Sequence, residues 1–141
     1  HQILGLDRKW TMVVVGVGQL GRAVLSYGGF VPQGFRIVDA FDADPTVIGQ
    51  HVDHLIVKSV EQIREALAGR PVDIGIVATP AASAQKVIDA LVECGVKAIL
   101  NYAPIAAHVP PHVHVKDIDP VLSLQSMTFY LKTETPPATA S

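Results

Sequence analysis

Gly16-Val17-Gly18-Gln19-Leu20-Gly21 follows directly on the apolar run Val13-Val14-Val15. This junction restricts the fold more than any other part of the chain. The run before it reads as a buried strand and the residues after it as a helix, so the glycines sit in a strand-to-helix turn. Each glycine has a separate task there. Gly16 permits the tight turn, Gly18 lets backbone approach phosphate, and Gly21 lets helix and strand pack closely. The amides of Gly18, Gln19 and Leu20 lie at a helix N-terminus, where the macrodipole favours an anion. A G-x-G-x-x-G turn alone is common, and a turn without a ligand is the competing reading. The context is what raises its weight: a strand before, a helix after and an acid about 20 residues on.

That acid is Asp42, 21 positions after Gly21 and at the end of the apolar stretch Phe35–Phe41. A carboxylate at this point accepts hydrogen bonds from an adenosine ribose diol and repels a 2′-phosphate. The neighbouring Ala43 and Asp44 supply no arginine to reverse that preference, so the residues favour NADH and NAD+ over their 2′-phosphorylated forms. The alternative is that Asp42 is only a turn acid before Asp44-Pro45, and Asp44 itself reads as a turn residue.

The rest of the chain repeats the alternation of strand and helix. Thr11–Val15, Phe35–Phe41, Ile56-Val57, Ile74–Ala78, Val96–Leu100 and Val113–Val115 read as strands. Gln19–Tyr27 reads as a helix with Leu20, Val24 and Tyr27 on one face. Ser59 opens another through a capping box with Gln62, turning Ile63, Ala66 and Leu67 inward. Ala82–Cys94 reads as a third, with Ala84, Val87, Ile88 and Leu91 facing in and Gly95 as its stop. The expected fold is therefore α/β: a Rossmann-like, doubly wound, mostly parallel sheet over residues 11–118. Its strand ends, and any ligand, share one edge. Two further strand ends meet there, Ala78-Thr79-Pro80 and Asn101-Tyr102-Ala103-Pro104. They are expected to flank a nicotinamide, and they offer no general acid or base at neutral pH. Plain loop punctuation is the competing reading.

After Asp119 and Pro120, an N-cap and a first helical residue, come Val121, Leu122, Leu124, Met127, Phe129, Tyr130 and Leu131. A helix over 119–132 with apolar residues on more than one side needs more than one partner. It is either a well-buried terminal helix or one that packs into a second subunit. Thr133–Ser141, with Pro136 and Pro137, reads as a disordered tail.

Bulk properties remove several function classes. Of 141 residues, 49% are apolar and 17% charged, and the net charge is −2. That balance opposes a nucleic-acid grip by this segment itself, which would need clustered cations. No apolar run reaches the roughly 20 residues of a membrane span. The single cysteine, Cys94, fits a reducing cytoplasm and reads as packing rather than as a nucleophile. His51, His54, His112 and His114 lack a third ligand and read as surface residues, so no metal is expected.

Several segments together resemble one family: VVVGVGQLGRAV over Val13–Val24, YGGF over Tyr27–Phe30, FRIVDAFDADP over Phe35–Pro45, ILNYAP over Ile99–Pro104 and the closing DIDPVLSLQSMTFYL. They are similar to the C-terminal domain of the bacterial redox-sensing repressor Rex. ILGLDRKW, Ile3–Trp10, resembles the link to the domain that precedes it. The resemblance implies an NADH/NAD+ sensor that is not an enzyme. It also implies a homodimer that exchanges its C-terminal helix, and DNA contact only through an N-terminal winged-helix domain preceding residues 1–10. Asp119 would then lie near the partner's DNA-binding domain. Pro120 and Gln19 depart from the family's usual residues. The start at His1 suggests a fragment or a processed chain. Two rival classes stand beside the sensor. An NAD-dependent dehydrogenase fragment would need a substrate domain, for which the sheet and terminal helix leave no residues. A CoA-binding ligase-type domain would give Asp42 less purpose.

Overall fold

Four consecutive residues, Met12 to Val15, are buried in alternation on two faces. Such a strand belongs at the centre of a sheet covered on both sides. The computed structural model, which describes residues 9–118, places it there. Strand β1, Trp10–Val15, leads through the glycine turn to helix α1, Gln19–Ser26, and on to β2, Phe35–Asp42. A two-stranded hairpin follows, β3 at His51–Val52 and β4 at Leu55–Ile56, then β5 at Lys58–Ser59. A short turn of 3₁₀ helix and α2, Ile63–Leu67, lead to β6, Ile74–Val77. Helix α3, Ala81–Glu93, precedes β7, Ala98–Asn101, and β8, His114–Asp117. The predicted helix over 119–132, the tail over 133–141 and most of the 1–10 link lie outside the described residues.

The main sheet runs in the order β5-β2-β1-β6-β7-β8, with every neighbouring pair parallel. This is the strand order of two mononucleotide-binding halves meeting between β1 and β6. On one face Val13, Val15, Phe41 and Ile99 pack against α2 and α3 through Ile63, Leu67, Ile88 and Leu91. On the other, Met12, Val14, Ile37 and Ile76 pack against Leu25 of α1 and Val52 of the hairpin. Each such fully buried aliphatic or aromatic side chain contributes about 1.5–3 kcal/mol.

Four local expectations need correction. The third strand lies at Lys58–Ser59, just after the predicted Ile56-Val57, because Leu55–Ile56 is used in the hairpin. Helix α1 turns Gly21 and Leu25 inward rather than Leu20 and Tyr27, which are 42% and 60% exposed. The close seating of Gly21 sets that rotation, as described below. The Ser59–Gln62 capping box forms as read, but it opens a 3₁₀ turn before α2. Trp10, assigned to the link, is the first residue of β1.

A buried acid not singled out in the sequence ties the β5 edge together. Asp39 in β2 is 3% exposed. Its Oδ2 accepts from Lys58 Nζ at 3.1 Å and from Arg70 Nη1 at 3.2 Å. Arg70 Nη1 also donates to the Ala66 carbonyl at 3.2 Å, so one carboxylate fixes both β5 and the exit of α2. Replacing Asp39 by Ala leaves two cations without their shared partner. Both are partly solvated, so the loss is about 2 kcal/mol rather than the larger value of a sealed pair. Urea denaturation of Asp39→Ala should show a lower midpoint at an unchanged slope.

Candidate functional site

The C-terminal edge of the sheet gathers four loops: 16–18 after β1, 42–44 after β2, 78–80 after β6 and 101–104 after β7. Helices α1 and α3 leave neighbouring strands β1 and β6 toward opposite faces. A crevice therefore opens between the first and third of these loops. Backbone ladders extend into it. Gly16 N donates to the Phe41 carbonyl at 2.8 Å, Ala78 N to Val15 at 2.8 Å and Tyr102 N to Val77 at 2.8 Å.

The glycine turn is built by close contact. Gly16 has φ +101°, and a Cβ there would lie 2.5 Å from the Ala78 carbonyl oxygen. A Cβ on Gly21 would lie 2.0 Å from the carbonyl oxygen of Gly16. The helix thus rests on its own turn, with Gly21 against it. Gly18 is the opposite case: it is exposed, and a Cβ would meet nothing within 4 Å. It is the N-cap residue of α1, and neither a side-chain cap nor an acidic residue serves the helix's first turn. The turn's amide dipoles therefore face open space beside Gly18, Gln19 and Leu20.

Asp42 meets this turn directly. Its Oδ2 accepts from Val17 N at 2.6 Å, and its Oδ1 accepts from Asp44 N at 2.9 Å. Each oxygen keeps a lone-pair direction for a further donor. Ala43 is exposed beside it. Asp44 accepts from Thr46 N at 2.9 Å and Thr46 Oγ1 at 2.8 Å. The backbone and side-chain bonds from Thr46 hold its carboxyl below the usual range, as suits a turn residue. Two participants escaped the sequence reading: Arg22 of α1 donates to the side chain of Gln50, whose Nε2 donates to the Thr46 carbonyl at 2.7 Å. They clamp loop 43–50 to α1 across 28 residues, and no local pattern announces such a pair.

On the other side of the crevice, Thr79 is 9% exposed. Its Oγ1 is the one buried side-chain polar atom among the described residues without a hydrogen-bond partner. An orphaned hydroxyl of this kind costs about 1–3 kcal/mol until something bonds it. Pro80 is exposed and stands at the N-cap of α3. Asn101 is fully buried, and its side chain is already occupied: Nδ2 donates to the Ile105 carbonyl at 3.1 Å and Asp117 Oδ1 at 2.9 Å, while Oδ1 accepts from Ala103 N at 3.1 Å. It shapes the loop from within rather than offering its amide outward. Ala103 is buried, Pro104 is exposed, and Tyr102 is half-buried.

Tyr102 also lines an apolar groove of about 400 Å³ with Met12, Val24, Phe30, Ile76 and Leu100. The groove lies beside α1, over β6, β7 and β8. Among the described residues no three His, Cys, Asp or Glu side chains cluster to hold a metal, and no helix is long and apolar enough to cross a membrane. His54 Nδ1 lies 3.0 Å from Asp53 Oδ2 on the exposed hairpin turn. Burial pushes the Cys94 thiol up from its ordinary pKa, which disfavours the nucleophilic thiolate.

The sequence pattern of the CoA binding domain family fits residues 7–105. The redox-sensing transcriptional repressor Rex of Chloroflexus aggregans is 48% identical over 134 residues, which cover 95% of this chain and 63% of that protein. Two solved structures are similar. RSP in complex with β-NAD+ and operator DNA gives a TM-score of 0.86 at 34% identity, covering 94% of this chain and 61% of that one. RSP in complex with β-NADH gives 0.85 at 34% identity, covering 94% and 65%. The chain thus spans less than two thirds of the length of these relatives.

The two glycines of the turn should respond oppositely to a methyl group. Gly18→Ala keeps an allowed backbone and an empty neighbourhood, so stability stays within about 1 kcal/mol of the parent. Gly21→Ala forces the helix off its turn and costs about 2–3 kcal/mol or prevents folding. Thermal unfolding of the two variants side by side checks the contrast.

Proposed function

The chain belongs to the CoA-binding-domain family and is a relative of the Rex repressors over 95% of its length; from that premise we propose that it is the NADH/NAD+-sensing domain of a cytoplasmic transcriptional repressor. The observation that carries the reading is the bond from Val17 N to Asp42, which joins an acid to an uncapped helix N-terminus. In this reading the amides of Gly18, Gln19 and Leu20 hold the pyrophosphate within the turn Gly16, Val17 and Gly21. Asp42 accepts from the ribose diol, with Ala43 beside it. Ala78, Thr79 and Pro80 on one side and Asn101, Tyr102, Ala103 and Pro104 on the other frame the nicotinamide. A dinucleotide hydroxyl, amide or bridging water would end the isolation of Thr79 Oγ1.

A sensor needs different free energies for its two ligands. The reduced ring is neutral and the oxidised ring cationic. Ala103, Pro104 and the Tyr102 ring supply an apolar surround, which disfavours the cation. NADH then binds more tightly, favours one arrangement of a homodimer and, in the whole repressor, releases DNA held by an N-terminal domain. The dimer contact is assigned to the helix of residues 119–132, with Val121, Leu124, Met127, Phe129, Tyr130 and Leu131 exchanged onto the partner. The groove between α1 and β8 supports this assignment, being largely apolar and lined in part by β8, the strand that those residues follow in the chain.

Calorimetry of the chain with NADH, NAD+, NADPH and CoA tests the reading. NADH should bind roughly tenfold tighter than NAD+, a difference of about 1.4 kcal/mol, and tighter than NADPH or CoA. Equal affinities for NADH and NAD+ would sink the sensor, and tighter CoA would favour the ligase-type alternative. Asp42→Ala should weaken NADH and narrow its lead over NADPH.

A chain ending at Ile118 should sediment as a monomer or lose solubility. A stable, soluble dimer of that truncated chain would contradict the exchanged helix.

A further inference from the structure

Asn101 and Asp117 face each other on the last rung of the β7–β8 ladder. Two bonds close this rung. Asn101 Nδ2 donates to Asp117 Oδ1 at 2.9 Å, and Ile118 N donates to the Asn101 carbonyl at 2.7 Å. The same side chain holds the following turn from both ends, accepting from Ala103 N and donating to the Ile105 carbonyl. Every donor of this buried amide is committed, and its oxygen is engaged.

An Asx turn alone would need only the bond from Ala103 N, which any Asn or Asp could accept. The second donor reaches instead to a different strand, 16 residues away, and to an exposed carboxylate that has no packing reason to be fixed. Replacing Asn101 by Asp would lose both donations, and replacing it by Leu would lose all three bonds. The residue type is therefore specified by the link between loop and strand.

We infer that Asn101 is a positioning residue that couples the loop 102–105 to the end of β8, and so to the segment that begins at residue 119. The inference rests on the proposed sensor reading, in which that loop packs beside the nicotinamide. A buried amide with both donors committed and its oxygen engaged cannot let Ala103 or Ile105 shift without breaking a bond or turning with them. Turning carries Asp117 along. A change at the ring is thereby delivered to the strand end that precedes residue 119, through the side chain and carbonyl of Asn101 and without a change of fold.

Amide hydrogen exchange resolves the two ends of this link. In the parent chain, saturating NADH should slow exchange at both Ala103 N and Ile118 N, by roughly tenfold at each. Asp117→Ala removes an exposed side chain and leaves the core intact. It should keep the response at Ala103 but reduce that at Ile118 to less than about twofold. Asp117→Asn retains an oxygen acceptor and should keep both. A full response at Ile118 in Asp117→Ala overturns the coupling, as does a parent chain in which Ala103 responds and Ile118 does not. Calorimetry separates the levels: a parent chain that does not bind NADH removes the sensor reading and this link together, whereas one that binds with an indifferent Ile118 removes the link alone.

Discussion

The approach of Gly21 to the carbonyl of Gly16, too close for any Cβ, is the contact on which the site depends. It sets the point at which α1 leaves β1 and the rotation of the helix about its axis. Leu25, one turn further on, then meets the sheet. Gly16, in a left-handed conformation, presses in turn on the loop after β6. The two loops that border the crevice are thus packed on each other through backbone alone, and the opening between them does not depend on flexible side chains. Of the three glycines in this turn only Gly18 faces empty space, at the place where the helix amides emerge.

Much of this was legible from residue order. A central strand buried on both faces must be continuous in apolar residues, and Val13–Val15 is. Glycines spaced for a strand-to-helix turn, followed by an acid at the next strand's end, predicted that the turn and Asp42 would lie at one edge of the sheet; the direct bond from Val17 N to Asp42 there is a finding of the structure. What was not legible depends on distant pairing. The Leu20–Val24–Tyr27 stripe is a fair helical face by spacing, but steric contact at Gly21 overrides hydrophobicity and leaves Leu20 and Tyr27 outside. Asp39 sits in an alternating strand as though it were an error of pattern. Its partners come 19 and 31 residues later, beyond any local signal. Asn101 was visible as a residue of the site, yet its three internal bonds could not be inferred from its position in a loop.

The electrostatics of the edge are unusual for an anion site. The chain is net acidic, and the turn presents amides rather than lysine or arginine. Asp42 adds a negative charge beside them. In the proposed reading the arrangement is selective because of that conflict. A diol next to the carboxylate gains hydrogen bonds, and a phosphate there meets repulsion, while the amides a few residues away still favour a phosphate. Neighbouring groups of opposite preference would thereby divide the proposed ligand into a part that must be charged and a part that must not be.

The same edge holds two features that are incomplete by themselves. One is the orphaned hydroxyl of Thr79; the other is the apolar groove that ends at Tyr102. They differ in what would complete them, since a polar ligand answers the first and an apolar surface the second. Loop 101–105 belongs to the same edge, with Tyr102 lining the groove and Asn101 knitting the loop to β8. In the proposed reading, a ligand that stabilises one setting of this loop also changes the free energy of whatever occupies the groove, because Tyr102 belongs to both. Linkage requires the reverse as well: an occupant of the groove alters the affinity of the crevice by the same factor. In the proposed sensor no large motion is needed to report on a ligand. What is needed is a loop too tightly bonded to absorb a displacement, and Asn101, with both amide donors committed, supplies the bonds.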